Sequence, residues 1–540
     1  MKISMKSYKA LVLTLLSAFC LDCMPQSLDA NYVMQKSMTD SVNGIVVINY
    51  YDGLGRKSQT INKNAATNGY DQIAMTDYDI KGRVEKNWLT IPINGNGASC
   101  DTLLFRQTAI DYYSDSFPYL KINYEDSPLN RKTEEYGAGI IWHNNHKSKK
   151  IVYSANSCTI NKCRKYVVST SDYSLSSQGY WQNGELDVII ETDEDSSRVI
   201  SFKDMRGLLV LQRIIDNKNS NQEHDTYYVY DNSGNLCYVL PPMASYELTS
   251  GTWHDNDETI QKYCYLYKYN NKNLCVYKKN PGCEPIYMRY DKAHRLIFLQ
   301  EGNLREKNKW IFNLYDKMGR LLVTGTCSND NLPDVTYEQV VACPSTSTSS
   351  INYVDSCYCT ANIKLRETSL LSMNFYDYYD YLSIFATHSD SLQYRHMNEY
   401  DERYNNLASQ SAKGYLTGTA TRVLGDTTML VKSLYYDCHG NVIQSHESNA
   451  VGGYEHDYYH LTFTGKPLAV RHEHSTGTAH HVDINTMTYD AMERLLTTTV
   501  THDGGQVDVI TNTYDDLGRL ASQSYLGGQQ TTSYGYNIRK

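Results

Sequence analysis

Apolar and polar positions alternate along most of the chain. "GIVVINYYD" (44–52), "DTYYVYD" (225–231), "DINTMTYD" (483–490) and "VDVITNTYD" (507–515) show a period of two and are rich in β-branched and aromatic residues. That pattern predicts strands with one face buried and one face wet. Helical periodicity is scarce and short, and 378–411 reads as an irregular insertion or loop. Each of these strands ends in Tyr-Asp, followed by a few turn residues and a new apolar run.

The ending recurs. Tyr51, Asp52, Gly55 and Arg56 spell it in "YDGLGR", and Tyr78, Asp79, Gly82 and Arg83 in "YDIKGR". "YDNSGN" supplies Tyr230, Asp231 and Gly234; "YDKAHR" supplies Tyr290, Asp291 and Arg295. Tyr315, Asp316, Gly319 and Arg320 follow in "YDKMGR", then Tyr436, Asp437 and Gly440 in "YDCHGN". Tyr489, Asp490 and Arg494 stand in "YDAMER", and Tyr514, Asp515, Gly518 and Arg519 in "YDDLGR". "FKDMRGLLVLQRII" (202–215), "YNNKNLCVYKK" (269–279) and "FTGKPLAV" (463–470) read as worn copies. The Tyr290–Tyr315 and Tyr489–Tyr514 spacings are both 25 residues, the length of a hairpin plus its connection.

In each unit Asp can cap the turn through its side chain, and Gly can take the positive φ that closes it. After Arg320, Leu321, Val323 and Gly325 are expected on one strand face and Leu322 and Thr324 on the other. The Arg is expected to pair with a neighbouring unit's Asp or to lie over a Tyr face; a phosphate or carboxylate ligand is the less favoured role. Tyr occurs 49 times against nine Phe and five Trp. It suits a wide sheet or a hollow enclosure with a wet side, because its ring packs across strands while its hydroxyl faces water. The expected fold is all-β: repeated antiparallel β-hairpins forming a long curved sheet or a partial hollow shell.

The N-terminus changes the setting. Lys2, Lys6 and Lys9 precede "ALVLTLLSAFCL", an apolar run too short to span a bilayer, so residues 1–30 read as an export signal. Phe19 and Asp22 flank Cys20 and Cys23 unsuitably for lipidation, and nothing downstream approaches a membrane span. Secretion or display on the cell surface follows. Among the 14 Cys, Cys158/Cys163, Cys264/Cys275/Cys283 and Cys343/Cys357/Cys359 cluster locally, and a mixture of buried thiols with a few bridges is expected. The net charge of −9, without a Lys/Arg block or a nucleic-acid-binding signature, argues against nucleic acid as a partner.

Candidate chemistry is sparse. In "RHEHSTGTAHHVD" (471–483), His472 and His474 share a strand face, and His480 or His481 could meet them across a hairpin. Such a group could bind a transition metal, with imidazoles on an exposed edge as the preferred alternative. "TDEDSSR" (192–198) brings three carboxylates together without calcium-loop spacing. No nucleophile elbow, zinc-protease helix or phosphate loop occurs, so neither an enzyme nor a cofactor is expected. Paired glycosidase carboxylates need spatial rather than sequence spacing, and the Asp of each corner already has a structural role.

The Tyr-Asp-x-x-Gly-Arg units, with "YEDSPLNRK", "KKNPGCEPIYMRYDKAHRLIFLQEGN", "AKGYLTGTATRVLG" and "YGYNIRK", resemble the RHS or YD-repeat proteins, in particular the secreted RHS proteins of Bacteroidetes. The resemblance implies an N-terminal β-rich domain over 31–145 and repeats over 146–540, ending mid-repeat. It implies hairpins spiralling into a shell around another polypeptide, often a toxin used between bacteria. The C-terminal core of that family, with its Asp-Pro segment, has no counterpart here. The expected partners are a second RHS polypeptide or an enclosed cargo. The alternative is a surface module holding a glycan or a protein on Tyr-rich faces, and a standalone hydrolase or metal enzyme is a third, less favoured reading.

Overall fold

The computed structural model describes residues 30–216, 222–328, 342–344, 352–353, 358–360, 365–385, 389–397, 400 and 412–539. The expected export signal and most of the tail of the 378–411 insertion lie outside the described residues. Among the described residues the protein is built on a 31-stranded sheet in which every pairing is antiparallel. It starts with Asn31–Met38 against Gly44–Tyr51, then Lys57–Asn62 and Asp71–Tyr78. From there it runs neighbour by neighbour to Leu520–Tyr525 and Gln530–Ser533. Ile91–Ile93 branches off, pairing with the first half of Asp71–Tyr78 while Val84–Trp88 takes the second.

Where the order skips strands, the intervening chain forms accessory layers. Arg164–Val168, Leu175–Tyr180 and Thr252–Trp253 make a separate three-stranded sheet, which shares a core with the main sheet. The helix Thr102–Tyr113 is started by Asp101, whose carboxylate accepts the N–H groups of Leu103 and Leu104. It buries Phe105 and Ala109 against Trp88 and Ile91. Buried apolar side chains fall into three clusters along the sheet, around Ile48–Tyr119, Cys163–Leu266 and Ile297–Val431. None of the described helices is long and apolar enough to cross a membrane.

A β-bulge follows each corner. Leu314 opposes Val323 but Tyr315 opposes Leu321, so Leu322 is the extra residue. The alternation expected from Leu321 onward is therefore corrected: Leu322 and Val323 are both buried, and the regular pattern starts at Val323. The same shift occurs beside Tyr51, Tyr78, Tyr230, Tyr290, Tyr436, Tyr489 and Tyr514.

The 378–411 insertion is more ordered at its start than an irregular loop. It replaces the tip of a corner: the Asp377 N–H bonds the Tyr415 carbonyl and the Gly414 N–H bonds Asp377. The Tyr381 ring stacks on Phe375 at 4.1 Å and its hydroxyl donates to the Thr417 carbonyl. The Leu392 carbonyl accepts both the Ser433 and the Tyr435 hydroxyls. The described part of the segment thus lies across the strands from 416 to 448, where the Gln444 amide donates to the Arg395 carbonyl.

The far end of the chain meets its beginning. Asp516 accepts from the Thr67 hydroxyl at 2.7 Å and, through its carbonyl, from the Gln72 amide at 2.9 Å. Arg539 pairs with Glu194 at 2.9 Å and lies 3.9 Å over the Trp142 ring. These contacts are made by side chains and loops. Among the described residues the strand Asn31–Met38 pairs with Gly44–Tyr51 alone, and Gln530–Ser533 with Leu520–Tyr525 alone.

The described Cys158, Cys163, Cys264, Cys275 and Cys283 are free thiols, so no bridge forms among them. The side chains of Cys343, Cys357 and Cys359 lie outside the described residues.

Candidate functional site

The repeated corner is a three-residue turn closed by backbone and side chain together. The Asp52 N–H donates to the Arg56 carbonyl at 2.9 Å, and the Gly55 N–H to the Asp52 carbonyl at 3.0 Å. Gly55 sits at φ +76°, the left-handed position that ends such a turn. The Asp52 carboxylate accepts the Leu54 and Arg56 N–H groups with one oxygen and the Arg56 Nε with the other. The Arg56 backbone N–H chiefly holds this carboxyl below its ordinary value. Asp79, Asp291, Asp316, Asp490 and Asp515 hold the Nε of Arg83, Arg295, Arg320, Arg494 and Arg519 at 2.6–2.8 Å. At Asp231 and Asp437 the amides of Asn235 and Asn441 stand in at 2.9 and 3.0 Å.

Gly82, Gly234, Gly319, Gly440 and Gly518 repeat the positive φ, and His294 and Glu493 adopt it without being glycine. Ser196 does so in the three-carboxylate turn, where Asp193 accepts the Asp195 and Ser197 N–H groups. That turn closes with the same backbone bonds as the Tyr-Asp corners, but without their bulge.

The other half of the motif reaches the next unit. The Arg56 guanidinium lies 4.5 Å from the centre of the Tyr78 ring, and the Tyr78 hydroxyl donates to the Lys57 carbonyl. Arg295 covers Tyr315 at 4.9 Å, and Tyr315 donates to the Leu296 carbonyl. Arg494 covers Tyr514 at 5.2 Å, and Tyr514 donates to the Leu495 carbonyl. Arg83 covers Tyr124, Arg320 covers Tyr376 and Arg519 covers Tyr536. Tyr230, Tyr290, Tyr436 and Tyr489 bond the carbonyls of Leu209, Cys275, Leu416 and Pro467. Burial pushes the phenols of Tyr230, Tyr290, Tyr315 and Tyr436 up.

The expected pairing of Arg with a neighbouring unit's Asp is thereby corrected. Arg is held by its own Asp, because the four-residue spacing across the turn places the guanidinium on the carboxylate, and it then covers the neighbour's Tyr. Arg320 also takes the next unit's Asp377, at 2.8 Å.

The histidines of 471–483 divide between two faces. His472 and His474 share one face; His472 meets Asp457 at 2.7 Å and His474 meets Glu455 at 2.6 Å. His481 is the register partner of His474 and joins that face, while His480 pairs with Ser475 and points toward Glu473 on the other. The face of His472, His474 and His481 continues to His502, across from Asp483, and to Asp503 in the adjoining turn. His481, His502 and Asp503 bring one ligand atom each within 4.8 Å of one another. The sequence reading missed His502 and Asp503. Only the register counted back from the 489–495 corner, with its one-residue bulge, sets Asp483 opposite His502.

On the opposite face lie His446 and His456, both fully buried, with ring centres 4.4 Å apart. Among the described residues none of their four ring nitrogens has a hydrogen-bond partner, and the Glu473 carboxylate stands 3.8 Å from His456 Nδ1. Burial first, and then the His456 imidazole, bring the pKa of His446 down to about 3.

Residues 26–155 match the model of a domain of unknown function, DUF6443. No curated protein matches the chain. Among solved structures, the chain is similar to TcdB2-TccC3-TEV at 12% identity and a TM-score of 0.42, with 99% of this chain and 25% of that chain aligned. For TcdB2-TccC3 without its hypervariable C-terminal region the values are 11% and 0.43, over 95% and 24% of the two chains. For a Photorhabdus luminescens Tc holotoxin pore carrying a TccC3 mutation they are 13% and 0.36, over 94% and 23%. The chain thus spans about a quarter of the length of these structures, and its own N-terminal segment is the part that matches a family model, DUF6443.

Proposed function

We propose that this chain is an exported, non-enzymatic scaffold of the YD/RHS-repeat kind, of the sort secreted by Bacteroidetes. Its sheet forms part of a shell that encloses or presents another polypeptide. The observation that carries the reading is the return of the sheet to its own start through Asp516, without edge-to-edge pairing. From Asp71–Tyr78 to Gly505–Tyr514 the sheet takes about 24 inter-strand steps of about 4.8 Å, roughly 115 Å of wall. A wall that long, coming back to where it began, goes around a space roughly 35 Å across before side chains are counted. The separate clusters of buried side chains fit a wall lined at intervals better than a single filled core.

The corners support the same reading. Their Asp, Arg and Tyr side chains are engaged with backbone and with the adjoining unit, which leaves the motif a fastening role. An interbacterial toxin is the cargo class this reading favours, and a second repeat polypeptide could complete the enclosure along the two sheet edges.

The test is purification from the producing cells under mild, non-reducing conditions with a tag placed after Ala30, followed by intact masses of everything that co-elutes. A stoichiometric second polypeptide is the expected result. A lone monomer that instead binds surface glycan or a partner cell's protein would overturn the shell in favour of a surface module.

A further inference from the structure

We propose that His481, His502 and Asp503 form a binding site for a divalent transition-metal ion of the zinc type, at the hairpin end opposite the clasped corner. His481 lies in the strand His480–Tyr489, His502 ends the strand Leu495–His502, and Asp503 opens the turn that follows. His481 Nδ1 stands 2.9 Å and His502 Nε2 3.4 Å from Asp503 Oδ2. Tetrahedral zinc with bonds of 2.0–2.2 Å sets its ligand atoms about 3.3 Å apart. Two of the three separations thus lie near this value, and the third, between the two imidazole nitrogens, is within 4.8 Å and closes when an ion seats.

The ligands are oriented before any ion arrives. The other nitrogen of His502 meets Asp483 at 2.5 Å, the carboxylate–histidine arrangement that fixes a ligating ring from behind. Asp503 is tied at its backbone and at Oδ1 to the carbonyl and N–H of Val482, so that Oδ2 faces the two rings. The imidazoles stack with centres 5.6 Å apart and planes 17° from parallel. Two imidazoles and one carboxylate suit zinc, copper or nickel rather than magnesium or calcium. Solvent fills the remaining positions, since all three residues are exposed.

The location gives the site a purpose. The corner Tyr489–Leu495 fastens one end of this hairpin, and the ion would fasten the other, where the Tyr–Arg ladder does not reach.

The experiment is calorimetric titration of zinc sulfate into tag-free, chelator-stripped full-length protein at pH 7.5, with magnesium chloride as control. One equivalent of zinc is expected, with no heat from magnesium. His481→Ala and His502→Ala should each weaken binding at least tenfold. Asp483→Asn should cost about tenfold through ring orientation, and His472→Ala with His474→Ala should change nothing. Circular dichroism confirms that each variant is folded. Wild-type binding weaker than millimolar, undiminished binding in the His481→Ala/His502→Ala double variant, or equal loss in His472→Ala/His474→Ala would each overturn the assignment.

Discussion

Asp291 offers the sharpest test of the corner as a fastening. Its side chain is fully buried, and that of Arg295 is 14% exposed. The carboxylate accepts the Arg295 N–H at 2.9 Å, the Nε at 2.8 Å and an Nη at 2.7 Å. Asp291→Ala takes the carboxylate away from a mostly buried guanidinium, a change that costs about 3–5 kcal/mol. Arg295 keeps the Asp316 carbonyl at 3.1 Å and the Tyr315 ring, which places the loss near the lower figure, about 3 kcal/mol. Asp291→Asn retains an oxygen for the backbone N–H. Asn270 shows that an amide can do this, since its Oδ1 accepts the Lys272 and Leu274 N–H groups at 3.0 Å. The asparagine variant should therefore lose about 1.5 kcal/mol, the charged part of the interaction.

A stacked array need not unfold as one unit, so the assay is native-state hydrogen exchange at increasing urea, read segment by segment. The strands between Ile286 and Cys327 should lose protection in the order alanine, asparagine, wild type, while Gly44–Tyr51 stays unchanged. A loss below about 1 kcal/mol for Asp291→Ala, or equal losses for the two variants, would refute the argument.

Three further outcomes follow from other positions. Tyr489→Phe removes the donor to the Pro467 carbonyl and should cost about 1 kcal/mol, visible as faster exchange confined to 467–489. His294→Gly should stabilise by about 0.5–1 kcal/mol in urea unfolding, because glycine occupies φ +64° without the penalty of a β-carbon. His446, held down to about 3 by burial and then by His456, is neutral in the folded chain, whereas the unfolded chain takes up a proton near pH 6.5. Its contribution is whole above pH 6.5 and is lost as pH falls from 6.5 toward 3, about 1.4 kcal/mol per unit. His446→Phe should therefore match wild type at pH 8 and exceed it by about 2 kcal/mol at pH 5, with identical pH profiles the refuting result. His456, Tyr435 and Tyr458 pack against this ring, Glu473 stands 3.8 Å from His456, and the Arg395 charge acts on the His446 imidazole; all remain in both proteins.

The strands and corners were legible because their cues are local. Asp capping its own turn, Gly at positive φ and β-branched alternation all lie within a dozen residues. The one-residue bulge was not legible, since "GRLLVTGT" alternates equally well from Leu321 or Leu322 and the partner strand decides. The helix Thr102–Tyr113 escaped because Leu103 and Leu104 are exposed, which blurs the 3.6-residue period that Phe105 and Ala109 carry. For the metal candidates, shared strand faces gave His472 and His474, but the group that converges takes His502 and Asp503 from the next strand and turn. Proximity there comes from cross-strand register, which a single strand's spacing does not contain.

The clasp also points in one direction along the chain. Tyr78 donates to Lys57, Tyr315 to Leu296 and Tyr514 to Leu495: each hydroxyl reaches back to a residue synthesised about 20 positions earlier. A nascent chain leaves the ribosome N-terminus first at about 5–20 residues per second, so a new 25-residue unit takes seconds to emerge. A hairpin forms in about 1–10 μs. A chain exported N-terminus first likewise delivers each tyrosine after its acceptor carbonyl and its covering arginine, so the sheet can be laid down like courses of brick, every course bedded on the last.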